Sequence, residues 1–458
     1  MDELVGAPSL DDAWAAFASG DVATCAQQLA ARLDALHRSL GAAPVRVASR
    51  WTPDLASVVD EAFHLGLLAC KVGALATATR AQRDVLLATW SVAEAADIPR
   101  WFQAGASCEL AYLELHRNRG TVGLARLRSL RQQLIDAELR DLLAEADEVE
   151  QPAIELVDGA IEYLESALRM GDHEAVRPSY DAESEPPADP SRPPSDPVPP
   201  AGGAPRGAWP RPLEGVEAAP TLRDGLEQLG ELNHETWRHI YDGREAARAD
   251  RHEASLDAFD RAIQAAELVA GTFRGSWEAR RVLAVAIVGR SGALEQLEIA
   301  GRSRDDAALA TGILSDLAVA YPEVVELLTD EAWAASVESW RACRLGRPDA
   351  EVLERSRFAI ERLDRARTTA VREPDDLLSL IWLLGHAGRH YRRTHAYGAA
   401  TAGLLRGHRV ASEMVHNYYD QARDYSNEAL EQTPGRLGAL VLWLMRQLDR
   451  RIAPSAAR

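Results

Sequence analysis

Thirteen of the chain's 23 prolines fall between Pro178 and Pro220, in a stretch that runs SEPPADPSRPPSDPVPPAGGAPRGAWPRP. Proline has no backbone donor and restricts the residue before it, so neither a helix nor a sheet strand runs through such a segment. The segment also holds few apolar side chains to offset the entropy lost on ordering. It is therefore expected to be a disordered, partly extended linker over 176–219. This splits the 458 residues into an N-terminal lobe, 1–175, and a C-terminal lobe, 220–458, each long enough to bury its own core.

Both lobes carry the apolar spacing of helices. Leu256, Phe259, Ile263 and Ala266 recur three, four and three apart, and Leu124, Leu127, Leu130 and Leu134, and Leu437, Leu440, Leu444 and Leu448, likewise recur at steps of three or four. The run VLAVAIVG at 282–289 has the composition of a buried strand, but it continues from WEARR without a turn signal and is expected to be helix. Alanine, the best helix former, occurs 81 times, while Phe and Tyr together number 16, which suits closely packed helices. The expected fold class is all-α.

Polar turns recur in the C-terminal lobe: ADRHEAS at 249–255, GRSRDDAAL at 301–309, GRPDAE at 346–351 and THAYG at 394–398. A tryptophan precedes several turns, with Trp277 ahead of GRSG at 289–292 and Trp333 ahead of GRPDAE. Ser255, Phe259 and Ala262 give a small–aromatic–small pattern, and Gly20-Asp21 and Gly171-Asp172 supply Gly-Asp turns in the first lobe. These residues resemble tetratricopeptide (TPR) repeats. The resemblance implies two lobes of antiparallel helical hairpins presenting a surface to a protein segment. Spacings of 45–52 residues exceed the family's repeat of about 34, which implies longer or additional helices. An irregular α-solenoid or a non-repeating bundle stays open beside it.

Charge narrows the partners. Lys+Arg of 51 against Asp+Glu of 70 gives a net charge of -19, which disfavours nucleic acid and an anionic membrane surface. The longest apolar runs, at 377–385 and 437–445, are too short to span a bilayer, and the acidic start lacks a secretory signal's basic region. A cytoplasmic location is expected. Cys25, Cys70, Cys108 and Cys343 form no C-x-x-C pair and suit buried apolar positions in a reducing compartment. Arginine carries nearly all the positive charge, since Lys71 is the single lysine.

Catalytic signatures are absent. There is no Gly-Lys-Ser/Thr phosphate loop, no G-x-G-x-x-G and no G-x-S-x-G elbow. The acidic pairs Asp11-Asp12, Asp305-Asp306 and Asp375-Asp376 lack a third carboxylate at the D-D-x-x-D/E position, where Ala15, Leu309 and Ser379 stand. Three E-x-x-H pairs, Glu61–His64, Glu231–His234 and Glu413–His416, have the spacing of di-iron ligands but no evident partner glutamates. Neither a metal nor a cofactor is expected.

The most distinctive local feature is HAGRHYRRTHAYGAATAGLLRGHR at 386–409, with five arginines, four histidines and no carboxylate. His386, Arg389, His390 and Arg393 share one helical face, with Tyr391 and Tyr397 beside them. Arginine's planar fork pairs with carboxylate or phosphate, so these six residues are the candidate contacts for an acidic peptide or protein partner. Residues 136–165 hold eleven carboxylates against Arg140, a candidate docking face for that basic surface. The expected function is a non-catalytic scaffold or regulatory adaptor, with self-association open. The alternative is a helical enzyme or small-molecule sensor whose polar pocket would use His416, Tyr418, Asp420 and Asp424.

Overall fold

The computed structural model describes residues 7–42, 51–90, 97–117, 119–143, 152–168, 218, 219, 221–366, 374–417, 440, 443 and 444. The Pro-rich stretch up to residue 217, with Trp209, and the Gly171-Asp172 pair fall outside them. The described residues form helices and no strand, so the all-α expectation holds. On the N-terminal side the order is α1 (Leu10–Ser19), α2 (Val22–Ala42), α3 (Pro53–Lys71), α4 (Leu75–Trp90), α5 (Asp97–His116), α6 (Gly120–Leu143) and α7 (Pro152–Leu168). After the Pro-rich stretch come α8 (Leu222–Arg248), α9 (His252–Thr272), α10 (Trp277–Gln296) and α11 (Ala300–Ala320). They are followed by α12 (Glu326–Arg344), α13 (Asp349–Arg365), α14 (Pro374–Arg393) and α15 (Tyr397–Asn417). Each helix packs chiefly on its neighbours in sequence, as hairpins do.

The helix starts are written locally. Ser9 and Asp12 make a capping box at α1, and Thr52, Thr221 and Ser276 cap α3, α8 and α10 through their side-chain oxygens. The hairpin turns share one design. Among the described residues an amide bonds the carbonyl five residues back, the outer bond of a Schellman turn, seven times: 21 to 16, 74 to 69, 119 to 114, 251 to 246, 299 to 294, 347 to 342 and 396 to 391. The residue before the donor is left-handed at Gly20, Gly73, Asp250, Glu298, Gly346 and His395. From 250 to 298, 346 and 395 the steps are 48, 48 and 49 residues.

That near-constant step corrects part of the sequence expectation. The turn lies at 298, not at 301–309, and both GRSG at 289–292 and GRSRDDAAL are helical, in α10 and α11. Nor do the tryptophans mark one repeat position, because Trp277 is buried whereas Trp333 is 39% exposed. The repeating feature is a pair of small residues twelve apart that lets two helices cross closely. At Ser291 and Ser303 each hydroxyl donates to the other's backbone carbonyl at 2.7 Å. Ser255 likewise donates to the Gly243 carbonyl at 2.8 Å, and a Cβ added at Gly123 would lie 2.7 Å from the Ala111 carbonyl.

The two sides of the Pro-rich stretch share one hydrophobic core. It runs from Trp14 and Phe17 through Phe63 and Tyr112 to Phe273, Trp277 and Leu314. Trp14 packs with tilted rings against Phe17 and Phe273 and donates its indole N–H to the Ala219 carbonyl at 2.7 Å. The Gly275 amide donates to the Phe17 carbonyl at 3.0 Å, and Ala76 donates to Glu323 at 2.8 Å. Helix α10 lies at the centre of this core, buried on consecutive positions from Val282 to Val288. A second, smaller core joins α12 to α15 through residues such as Leu363, Ile381, Leu384 and Val410.

Candidate functional site

Helix α14 carries five of the six sequence-predicted contact residues, burying some and exposing others, and the sixth, Tyr397, opens α15. His386 is fully buried, its Nε2 3.3 Å from the Ser339 hydroxyl, which in turn lies 2.8 Å from that of Ser356. Its ring sits 4.8 Å from that of His390, which is 3% exposed and holds Asp349 through Nδ1 at 2.6 Å. Burial, and then the neighbouring His390 and Arg389, push the His386 imidazole down to about 4. It is therefore neutral at pH 7, inside the α12–α13–α14 packing. Tyr391 is half-buried, its hydroxyl accepting from Arg357 Nε at 2.6 Å.

The flank of that face that carries Arg389 and Arg393 meets solvent. Arg389 is exposed, and Arg393, 61% exposed at its side chain, reaches Asp349 at 3.3 Å. After the left-handed turn at His395, Tyr397 is 60% exposed and its hydroxyl is 3.0 Å from His395 Nδ1. Helix α15 continues this surface with Leu404 and Leu405, the latter 63% exposed, and with exposed His408 and Arg409. Spacings of seven and four from Tyr397 to Leu404 to His408 place them on one face. The outcome is a cationic surface with an aromatic and an apolar stripe, propped from within by the two histidines.

The remaining sequence candidates do not converge. Glu61 pairs with Arg32 at 2.5 Å while His64 pairs with Asp60, and Glu231 and His234 are exposed. The side chains of His416, Tyr418, Asp420 and Asp424 lie outside the described residues. In the acidic segment, Asp158 pairs with Arg131 and Glu165 with Arg128, both on the adjacent α6.

One polar cluster was not anticipated from the sequence. At the seam between the two sides, Cys70 at the end of α3, His116 at the end of α5 and Glu278 at the start of α10 bring donor atoms within 4.8 Å of one another. Glu278 also holds Lys71, the single lysine, at 2.5 Å. His116 Nδ1 bonds Glu326 at 2.7 Å, and Arg281 reaches Glu326 at 2.6 Å and Asp330 at 2.5 Å. The Trp277 indole donates to the Cys70 carbonyl at 2.8 Å and its ring meets His116 edge-on. Burial disfavours the His116 cation, but the Cys70 sulfur and the Glu326 carboxylate outweigh it and push the imidazole up to about 9. Cys70, His116 and Glu278 are separated by 46 and 162 residues, so no spacing motif announces them. The isolated lysine was the one available signal.

Compared with known proteins, the chain matches no family model and no curated protein. Sequential hairpins are compatible with a helical-repeat fold. No described helix is long and apolar enough to cross a membrane.

Proposed function

We propose that the protein is a non-catalytic, TPR-like scaffold or regulatory adaptor that binds an acidic protein segment on the outer surface of α14 and α15. The observation that carries this reading is the pairing of exposed Arg389 and Arg393 with exposed Tyr397, Leu404 and Leu405 across one left-handed turn. Arginine and tyrosine are the side chains that anchor protein interfaces, because both combine a large contact area with directed hydrogen bonds. An acidic segment would pair with the guanidinium groups while its apolar residues cover Leu404 and Leu405. In this reading His386, His390 and Tyr391 set the position of α14 and the exposed residues make contact.

The test uses the whole chain, because a C-terminal fragment would uncover the shared core. The full-length protein and its Arg389→Glu/Arg393→Glu variant are used to capture partners from the native cell extract. A stoichiometric partner lost from the double variant, and released from the parent by salt, supports the reading. A partner retained equally by the folded double variant contradicts it.

A further inference from the structure

We propose that Cys70, His116 and Glu278 form a binding site for a single divalent transition-metal ion, zinc by its chemistry, which ties the two sides of the Pro-rich stretch together. A thiol, an imidazole and a carboxylate approach from three helix ends, all within 4.8 Å. Tetrahedral zinc requires donor separations of roughly 3.3–3.6 Å, so closing the site takes a contraction of about 1.5 Å at most. This donor set excludes the hard cations. Calcium and magnesium take oxygen ligands, whereas one sulfur, one nitrogen and one oxygen suit zinc or cobalt.

Two further features set this cluster apart from an ordinary buried ion network. His116 is 4% exposed, and its Nε2 makes no hydrogen bond of standard geometry, lying between the Cys70 sulfur and Glu278 Oε1, the latter at 3.8 Å. A buried nitrogen left in this way is a cost unless something fills the gap. Next, the supporting shell is already built. The other ring nitrogen of His116 is held by Glu326, which fixes the tautomer a metal needs, and Lys71 holds Glu278 Oε2 so that Oε1 faces inward.

Two of the ligands precede the Pro-rich stretch and one follows it, so the metal would link halves that are distant in sequence. With three protein donors a fourth position is left for water or for a ligand. The site lies away from α14 and α15, and its failure leaves the adaptor reading untouched.

The test is a cobalt titration of the chelator-stripped full chain in a Cys343→Ser background, since Cys343 is the cysteine that is not fully buried. A thiolate-to-cobalt charge-transfer band that saturates at one cobalt per chain and is bleached by zinc is expected. Cys70→Ser should abolish the band, and Glu326→Gln should keep it while weakening cobalt binding about 10- to 100-fold. Should Cys70→Ser fail to fold, Glu278→Gln provides the same test, with weaker binding expected and unchanged affinity contradicting the site. No band from the folded parent, or a band that survives Cys70→Ser, overturns the proposal.

Discussion

His386 makes a quantitative prediction. It is buried with its imidazole near 4, whereas the unfolded chain carries an ordinary histidine near 6.5. Its folded-state value is lowered, so below pH 6.5 the unfolded chain takes up a proton that the folded one refuses. Stability is then lost as pH falls from about 6.5 towards 4, and the loss levels off below that. The difference of about 2.5 units converts to a full loss of about 3 kcal/mol, with about 2 kcal/mol of it gone by pH 5. Replacing His386 with Gln retains a polar group near Ser339 and removes the titration. Urea unfolding of both proteins at a series of pH values between 7.5 and 4 gives the assay. The carboxylate contributions are common to both and cancel in the difference. The wild-type curve should fall below that of the variant by about 2 kcal/mol more at pH 5 than at pH 7.5. Parallel curves, or a His386 ring that titrates near 6.5 by NMR, would refute the burial argument.

Other substitutions test the turns and the seam. Glu298 is left-handed at φ 61, so Glu298→Gly should stabilise by up to about 1 kcal/mol, and Gly346→Ala at φ 66 should destabilise by about as much, both read by denaturant melts. An added Cβ at Gly225 would lie 1.9 Å from Trp14 Cζ2, so Gly225→Ala should cost about 1–3 kcal/mol and alter tryptophan fluorescence. Gly230, on the same helix with nothing within 4 Å, is the control, and Gly230→Ala should stabilise by up to about 1 kcal/mol. A double-mutant cycle of Ser291→Ala and Ser303→Ala should show a coupling of about 1 kcal/mol, since each hydroxyl seals the other's carbonyl.

The helices were legible because their apolar residues recur on one face, as at Leu256, Phe259 and Ile263. Helix α10 was the hard case. It is covered on all sides, so its sequence from Val282 to Val288 shows no amphipathic period, and only the absence of a turn before it argued against a strand. The turns were found where they carry Gly-Asp or similar residues, and misplaced at 301 because the left-handed position is Glu298, a residue with no turn preference. Helical spacing put His386, Arg389, His390 and Arg393 on one face of α14, but spacing does not tell which part of a face is buried. The position of α12 and α13 settled that, turning the two histidines inward. The seam cluster was invisible for a different reason, since its members meet only through tertiary packing.

Shared packing between the two sides of the Pro-rich stretch underlies the seam site. The most direct test is to express the protein as two separate chains, divided within that stretch. If Trp14, Phe63 and Trp277 belong to one core, the halves must co-purify as a one-to-one complex and unfold in a single transition. Two halves that elute separately, each folded and monomeric, would contradict the account at its base.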